Sequence, residues 1–192
     1  MACRIVSLLS SGVLRASLLL ALTGCASDPP SDRLAVPTTA QPIVAATVAG
    51  FEKAFSVGNV LIAGQPTPVL LANARDAGFK VVINARPPSE MSFDEGALVK
   101  GLRMRYVSIP FTPGTLDDAM VAAFIAEIRK GDGKVLAHCS SGNRVAALWA
   151  MYEITDLKVP PEEAVARARG AGLRSPELIA YIGEYARRVG AW

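Results

Sequence analysis

The chain has 192 residues, a formal net charge of +3 and a hydrophobic content of 51%. This length fits one domain of ordinary size, and the hydrophobic content is sufficient for a packed core. The small net charge excludes a protein that binds nucleic acid through a broad basic surface, because such binding depends on clustered Lys and Arg.

Residues 1–24 predict a secretion signal. They contain two arginines, no acidic residue and a run of Leu and Ala that ends in small residues. Arg15 interrupts this run and leaves too few apolar residues for a helix that crosses a bilayer. The segment Leu22–Cys25 resembles the lipoprotein box of bacteria, in which the cysteine receives a diacylglyceryl group and becomes the N-terminus after cleavage. An ordinary signal peptide that is cut nearby is the alternative.

Cleavage before Cys25 leaves a nearly neutral chain with one free thiol. Two of the 20 Lys and Arg residues lie in residues 1–24, which hold no acid, so the formal charge falls to about +1. Cys3 is removed and Cys25 carries the lipid, so Cys139 has no partner for an internal disulfide. An unpaired cysteine in an oxidising compartment is either buried or kept for its reactivity.

The predicted domains are a signal peptide at 1–24, a lipidated cysteine with a flexible tether at 25–50, and a catalytic domain at 51–192. Four apolar runs in that domain predict buried strands, at 59–66, 79–87, 105–110 and 134–139. Six segments predict helices, at 68–78, 94–101, 116–131, 144–155, 160–170 and 175–188. This alternation predicts an α/β fold with a mostly parallel sheet of four to five strands and helices on both faces. Thr115 is the expected N-cap of the third helix.

The stretch "HCSSGNR" lies between the last predicted strand and the next helix. Cys139 ends the strand and Arg144 opens the helix, so loop N–H groups and a helix N-terminus meet at one anion-binding position. A helix N-terminus and a guanidinium both favour the thiolate form of a cysteine. Arg144 can hold two oxygens of a tetrahedral anion, and Gly142 permits a positive φ in the turn. Taken singly, these residues also suit a buried thiol, a turn and a surface charge.

This loop resembles the signature loop of Cys-dependent dual-specificity phosphatases. A closer similarity, over residues 55–150, is to the phosphatase-like domain family named after the beta-lactamase hydrolase-like proteins. Three segments carry it: "AGQPTPVLLANARDAGFKVVINARPPSE", "YVSIPF" and "VLAHCSSGNRVAALW".

The resemblance implies a role for each residue of the loop. Cys139 would be the nucleophile that forms a thiophosphate intermediate, Arg144 would bind the phosphoryl oxygens, and His138 would orient the loop and help to hold the thiolate. The phosphate-binding loop would comprise Ser140, Ser141, Gly142 and Asn143. Arg86 and Glu90 match the opening motif of the family and would be functional residues of the site, with a simple local ion pair as the alternative. Gln65 would line the site or merely end a strand.

Three features depart from the phosphatase pattern. Four residues separate Cys139 from Arg144, where phosphatases have five; four is also the spacing of rhodanese-type sulfurtransferases, whose cysteine carries a persulfide. Val145 replaces the usual hydroxyl residue after the arginine, which leaves Ser140 or Ser141 to supply that hydroxyl. The expected general acid falls near a proline, so Asp118 or the adjacent Asp117 is the candidate, and both also suit a helix cap.

These features predict a Cys-dependent hydrolase of a phosphorylated small molecule or protein, without a cofactor. One histidine and one free cysteine cannot build a conventional zinc site, so no metal is expected. A rhodanese-like sulfurtransferase and a non-catalytic anion-binding module are the alternatives. The lipid anchor predicts a periplasm-facing protein of the cell envelope, and Ala26 after Cys25, which is not the inner-membrane retention signal Asp, favours the outer membrane.

The first testable prediction concerns Cys25. Wild-type protein is expected to fractionate with membranes, and Cys25→Ala is expected to escape processing at that site because the lipid acceptor is lost. Fractionation of the cell envelope with mass spectrometry of the N-terminus measures both. Recovery of unlipidated wild-type protein in the soluble periplasm would contradict the prediction.

Overall fold

A computed structural model describes residues 38–191 of the chain. The predicted signal peptide at 1–24 and the predicted lipidation site Cys25 lie outside these residues. Among residues 38–191, no helix is both long and apolar enough to cross a membrane.

The core of the domain is one six-stranded sheet. Its strands are β1 (Val44–Ala45), β2 (Phe55–Val57), β3 (Val60–Ala63), β4 (Phe79–Asn84), β5 (Arg105–Ser108) and β6 (Lys134–His138). Their order is β1-β2-β3-β6-β4-β5, and the three neighbour pairs from β3 to β5 are all parallel. The carboxyl ends of β3, β6, β4 and β5 therefore meet at one edge, where open parallel sheets hold their ligands.

Six α-helices of the described residues cover the sheet. They are α1 (Pro68–Asp76), α2 (Glu95–Gly101), α3 (Asp118–Arg129), α4 (Asn143–Thr155), α5 (Pro161–Gly170) and α6 (Pro176–Arg188). Buried side chains of α1 and α2 pack in one core cluster, and those of α3 to α6 pack in another. Successive strand residues alternate between the two clusters, as a pleated strand requires.

The predicted α/β class and the mostly parallel sheet are confirmed, but the sheet has six strands instead of four to five. The additional strands are β1 and β2, which form an antiparallel extension beside β3. With two and three residues, they are too short to give a readable alternation in the sequence. β1 falls within the range 25–50 of the predicted tether.

α4 is the central helix of the larger cluster. Eleven of its residues, from Arg144 to Ile154, are buried, and all of them except Arg144 and Glu153 are apolar or aromatic, as expected for a helix that is covered on all sides. α3, by contrast, has one buried face, and its N-cap is Asp117, whose side chain accepts from the Met120 N–H. Thr115 was expected at that cap but lies in a 3₁₀ turn, Pro113–Thr115.

A buried ion pair fastens α5 to α4. Glu153 of α4 is 0% exposed, and its carboxylate accepts three hydrogen bonds from Arg167 of α5, the shortest at 2.7 Å. Arg167 also donates to the backbone oxygen of Gln41. A buried carboxylate needs such a partner because its desolvation is otherwise uncompensated.

The second testable prediction compares this pair with an exposed one. Arg167→Ala is expected to lower the free energy of unfolding by about 3–5 kcal/mol, because it leaves Glu153 buried and unpaired. Arg129→Ala, which removes a pair with Asp156 in which the arginine side chain is 58% exposed, is expected to cost about 1 kcal/mol or less. Urea unfolding of both variants measures the difference. Equal losses of unfolding free energy would show that burial does not determine how much these ion pairs stabilise the fold.

Candidate active site

The end of β6 sends two consecutive side chains to opposite faces of the sheet. Cys139 packs with Val135 and Ala137 in the cluster that contains α4, whereas His138 lies on the side of Leu136 and α2. Both side chains are buried, with the cysteine 1% exposed and the histidine 0%. The period of two along a strand therefore separates the thiol from the imidazole.

The loop from Cys139 to Arg144 is fixed by close backbone contacts. Gly142 has a φ of 84° and directly precedes α4, so this turn requires the conformational freedom of glycine. A Cβ on Gly64 would lie 3.1 Å from the backbone oxygen of Ser140, so β3 and the loop approach each other closely at this glycine. Asn143 accepts from the N–H of Arg174 at 2.7 Å and ties the loop to the segment before α6.

The Cys139–Arg144 loop offers backbone donors to an anion. In the described part of the chain, the N–H groups of Ser140, Ser141, Asn143 and Arg144 have no acceptor. The N-terminus of α4 adds its partial positive charge at the same position. Unpaired donors beside a helix N-terminus form an oxyanion site.

Arg144 is held by a carboxylate that comes from a distant part of the sequence. Its Nη1 donates to Oε1 of Glu90 at 3.0 Å, and its Nη2 donates to Oε2 at 2.6 Å. Nη1 also donates to the backbone oxygen of Phe111 at 2.8 Å, and Nη2 donates to Oγ of Ser140 at 2.7 Å. The hydrogen bonds from the guanidinium to described oxygen atoms use Nη1 and Nη2, and a further hydrogen bond joins the guanidinium to the side chain of Cys139.

The charges of this cluster stabilise one another. The hydrogen bonds of Arg144 hold the pKa of Glu90 at about 2 against the opposing effect of burial, and Ser140 and Arg86 contribute to the same shift. Burial alone would lower the pKa of Arg144, but the hydrogen bond to Glu90 and the negative charge of Cys139 raise it. Arg144 is therefore a permanent cation beside the sulfur, and Glu90 is a permanent anion on its outer edge.

A second set of contacts lies beneath the loop. Nε2 of His138 is 2.7 Å from Oε1 of Glu95, which opens α2 and is 1% exposed. Oε2 of Glu95 accepts from the side-chain amide of Gln65 at 2.7 Å, and Arg86 donates to the same amide and to Glu90. The network therefore joins the underside of the loop to the Arg144 clamp.

The structure brings most of the predicted site residues together and places Asp118 elsewhere. Cys139, His138, Arg144, Gln65 and Arg86 all belong to the cluster or its network, as do the loop residues between Cys139 and Arg144. The hydroxyl of Ser140 donates to Glu90 at 2.7 Å, so it is directed to the clamp.

Asp118 is bound on the outer face of α3. Its carboxylate accepts from Arg188 at 2.7 Å and from the hydroxyl of Tyr181, and the Arg188 hydrogen bond lowers the pKa of Asp118. A general acid must carry a proton at the working pH, so a lowered pKa does not favour this role. These contacts favour a role for Asp118 in joining α3 to α6.

Two partners of the site were not recognised in the sequence. Glu95 has the pattern of an acid in the first turn of a helix, which usually serves the helix dipole in solvent. Only the alternation of β6, which turns His138 towards α2, could have indicated its burial. The contact from Phe111 is a backbone oxygen, which carries no residue signal. Among residues 38–191, no group of three or more His, Cys, Asp or Glu side chains could hold a metal ion.

Comparison with known proteins agrees with this geometry. The sequence profile of the family described as "Beta-lactamase hydrolase-like protein, phosphatase-like domain" matches residues 52–155. The chain belongs to this family. The match contains both the Cys139–Arg144 loop and the segment that supplies Gln65, Arg86 and Glu90, so the phosphatase-like domain includes the whole cluster.

The similar curated proteins are much longer than this domain. The beta-lactamase hydrolase-like protein of Xylella fastidiosa (strain Temecula1) is 31% identical over 119 residues, which are 58% of this chain and 28% of that protein. The protein of the same name from Agrobacterium fabrum is 32% identical over 103 residues, 51% of this chain and 24% of that one. The chain thus spans about a quarter of the length of the curated relatives that it matches.

Solved structures share the fold of the phosphatase-like domain. The DUF442 protein of Shewanella putrefaciens CN-32 has a TM-score of 0.64 and 25% identity, covering 74% of this chain and 96% of that one. TpbA of P. aeruginosa, solved in complex with pTyr, has a TM-score of 0.60 and 19% identity, covering 80% and 97%. At 19% identity, the likeness to TpbA establishes the fold alone.

The third testable prediction follows from the low pKa of Glu90. Because the folded-state pKa of about 2 lies below the ordinary value of 4.5 for a glutamate, ionised Glu90 stabilises the fold above about pH 4.5. This contribution is lost as the pH falls from 4.5 towards 2. Over this pH range, the free energy of unfolding of Glu90→Gln is expected to fall by about 1–2 kcal/mol less than that of the wild type. The value is reduced because about a third of the Glu90 side chain is exposed to solvent.

Urea unfolding between about pH 5 and pH 2.5 measures this difference. Glu163→Gln is the matched control, because Glu163 is an exposed acid of α5 outside the site. It is expected to leave the slope of unfolding free energy against pH unchanged. A Glu90→Gln variant with the wild-type slope would show that the Glu90–Arg144 contact is not an ionic clamp in solution.

Proposed function

We propose that the domain hydrolyses phosphate monoesters through the thiolate of Cys139. One observation carries the proposal: the guanidinium of Arg144 is fixed beside the cysteine sulfur, at the N-terminus of α4, by two hydrogen bonds that it donates to Glu90. This arrangement joins a nucleophile to a site for the three terminal oxygens of a phosphoryl group. Membership in a phosphatase-like family supports the same reaction.

In the first step, the sulfur of Cys139 attacks phosphorus from the base of the loop. The S–P bond forms as the P–O bond to the leaving group breaks, and the leaving oxygen takes a proton from solvent or an acid. Loop N–H groups and the Nε edge of Arg144 receive the charge of the equatorial oxygens. Because Glu90 holds the opposite edge of the guanidinium, Arg144 needs little reorganisation when the charge develops.

In the second step, water attacks the phosphorus of the Cys139 thiophosphate. The S–P bond breaks, inorganic phosphate forms, and the sulfur leaves as a thiolate that the helix N-terminus and Arg144 stabilise. Val145 cannot supply the hydroxyl that usually helps this departure. The hydroxyl of Ser140 is hydrogen-bonded to Glu90 and Arg144. The backbone N–H groups of the loop therefore contribute more than this hydroxyl to stabilising the thiolate.

The proposed substrates are phosphorylated small molecules or proteins. The fold shared with TpbA, whose solved complex contains pTyr, supports an aryl phosphate as the first substrate to assay. No cofactor is required, because both steps use the thiol, the arginine and water.

A sulfurtransferase is the second candidate, and the four-residue spacing between Cys139 and Arg144 favours it. In that reaction, the Cys139 thiolate would take the outer sulfur of thiosulfate, release sulfite and pass the sulfur to cyanide. The same oxyanion site would hold the sulfonate oxygens of the donor.

For the location of the protein, we propose a lipid anchor at Cys25 that leaves the domain on the periplasmic side of the cell envelope. The signal-like residues 1–24 and the lipoprotein-like box before Cys25 support this location. Residues 25–50 would then hold the lipidated cysteine and the tether of the domain, with β1 near the end of that range.

The fourth testable prediction concerns Cys139. Cys139→Ser is expected to lower turnover of an aryl phosphate by about 10⁴-fold or more, because a hydroxyl is scarcely ionised near pH 7 and replaces the nucleophile. Acid quenching of the wild-type reaction is expected to trap one phosphoryl group on Cys139, detectable by mass spectrometry. Thermal unfolding of the variant serves as the control for its fold.

A parallel assay with thiosulfate and cyanide separates the two candidates. Turnover of thiosulfate alone would support the sulfurtransferase, and turnover of neither substrate would support the non-catalytic anion-binding module. Retention of phosphatase activity in Cys139→Ser would exclude the thiophosphate mechanism.

A further inference from the structure

Gln65 lies between two ionic groups of the network. Its Nε2 donates to Oε2 of Glu95 at 2.7 Å, and its Oε1 accepts from Nη1 of Arg86. A primary amide carries a donor and an acceptor in one plane, so it can satisfy a carboxylate on one side and a guanidinium on the other. Gln65 therefore stands between a cation and an anion that would otherwise attract each other.

Each neighbour of Gln65 leads to a different part of the oxyanion site. Glu95 contacts the imidazole beneath the loop, whereas Arg86 contacts both the carboxylate and the backbone oxygen of Glu90. Glu90 in turn holds the guanidinium of Arg144. The full chain of contacts runs through His138, Glu95, Gln65, Arg86, Glu90 and Arg144.

The backbone of Gln65 is also attached to the loop. Its N–H donates to the backbone oxygen of Ser140 at 3.3 Å, and the preceding Gly64 forms an isolated bridge with Ser141. The amide is thus presented from a fixed backbone position at the end of β3. Its direction can determine where Arg86 points.

We propose that Gln65 is a positioning residue of the oxyanion site. Its amide keeps Arg86 apart from the buried carboxylate of Glu95 and directs Arg86 to Glu90, which then fixes Arg144 towards the anion. The proposal rests on the proposed function only in taking the anion to be the phosphoryl group of a substrate. Binding of a tetrahedral anion is measured without turnover.

Gln65→Glu provides the decisive variant because its effect depends on pH. Near neutral pH the new carboxylate faces Glu95 and attracts Arg86 away from Glu90. The charge of Glu95 raises the pKa of the new carboxyl and the charge of Arg86 lowers it, so a larger fraction of this carboxyl is protonated at about pH 5 than at about pH 7.5. The protonated acid, like the amide, donates to Glu95 and accepts from Arg86, so the original contacts return.

Other charged groups surround Gln65, and their titration affects the wild-type protein as well as the variant. His138 lies beyond Glu95, Glu90 lies beyond Arg86, and Glu52 and Lys53 line a cavity of about 300 Å³ together with Gln65. The useful quantity is therefore the ratio of the dissociation constants of variant and wild type at each pH. This ratio cancels titrations that both proteins share.

Sulfate is the probe, because it is a tetrahedral dianion at both pH values. Isothermal titration is expected to give a Gln65→Glu Kd about 10-fold above the wild-type value at about pH 7.5 and a smaller excess over the wild-type value at about pH 5. Gln65→Met, which keeps the size but lacks the polar atoms, is expected to weaken binding at both pH values. Gln41→Glu makes the same chemical change outside the site and is expected to alter neither.

The outcomes separate this proposal from the proposed function. A pH-independent ratio for Gln65→Glu, or wild-type affinity in Gln65→Met, would overturn the role of Gln65, with thermal unfolding confirming that each variant is folded. Sulfate binding with the expected ratios but no turnover of an aryl phosphate would remove only the catalytic proposal. A wild-type protein that binds no sulfate would overturn both.

Discussion

The pair of hydrogen bonds between Glu90 and Arg144 is the contact on which the geometry of the site depends. Arg144 is 7% exposed, and a guanidinium at that depth requires a partner for its charge. Glu90 supplies the charge, while the backbone oxygen of Phe111 takes another donor. With two edges of the guanidinium occupied, its position beside Cys139 is determined before any anion arrives.

The sheet topology makes this contact possible. β4 and β5 lie next to β6 in parallel, so the segments after all three strands emerge at the same edge. Glu90 comes from the segment after β4, Phe111 from the segment after β5, and Arg144 from the segment after β6. Residues 54 positions apart in the chain thereby become neighbours, which no local contact within the loop could achieve.

The same dependence explains what the sequence could predict. Continuous apolar runs identified β4 and β6, because strands covered on both faces carry that signal in their own residues. The Cys139–Arg144 loop was recognised because its cysteine, turn glycine and arginine lie within six consecutive residues. The partners of Glu95 and Asp118 could not be predicted from neighbouring residues in the sequence, because each partner lies on another element of the fold.

Glu90 illustrates the difference between local and tertiary information. Its spacing from Arg86 indicates an ordinary i,i+4 pair, and that pair is present at 3.4 Å. The shorter contact, at 2.6 Å, joins Glu90 to Arg144. Arg86 therefore orients the carboxylate of Glu90, and the charge of this carboxylate compensates the charge of Arg144.

The arrangement of donors on Arg144 indicates how an anion and Glu90 can both be accommodated. A carboxylate across Nη1 and Nη2 occupies one edge of the planar guanidinium, and the Nε edge is a separate face of the same group. The phosphoryl oxygen that the proposed function places at Nε therefore need not displace Glu90. The permanent negative charge of Glu90, in turn, prevents Arg144 and Arg86 from forming an uncompensated pair of cations when the site is empty. The carboxylate thus keeps the empty site stable and leaves its anion-binding edge open.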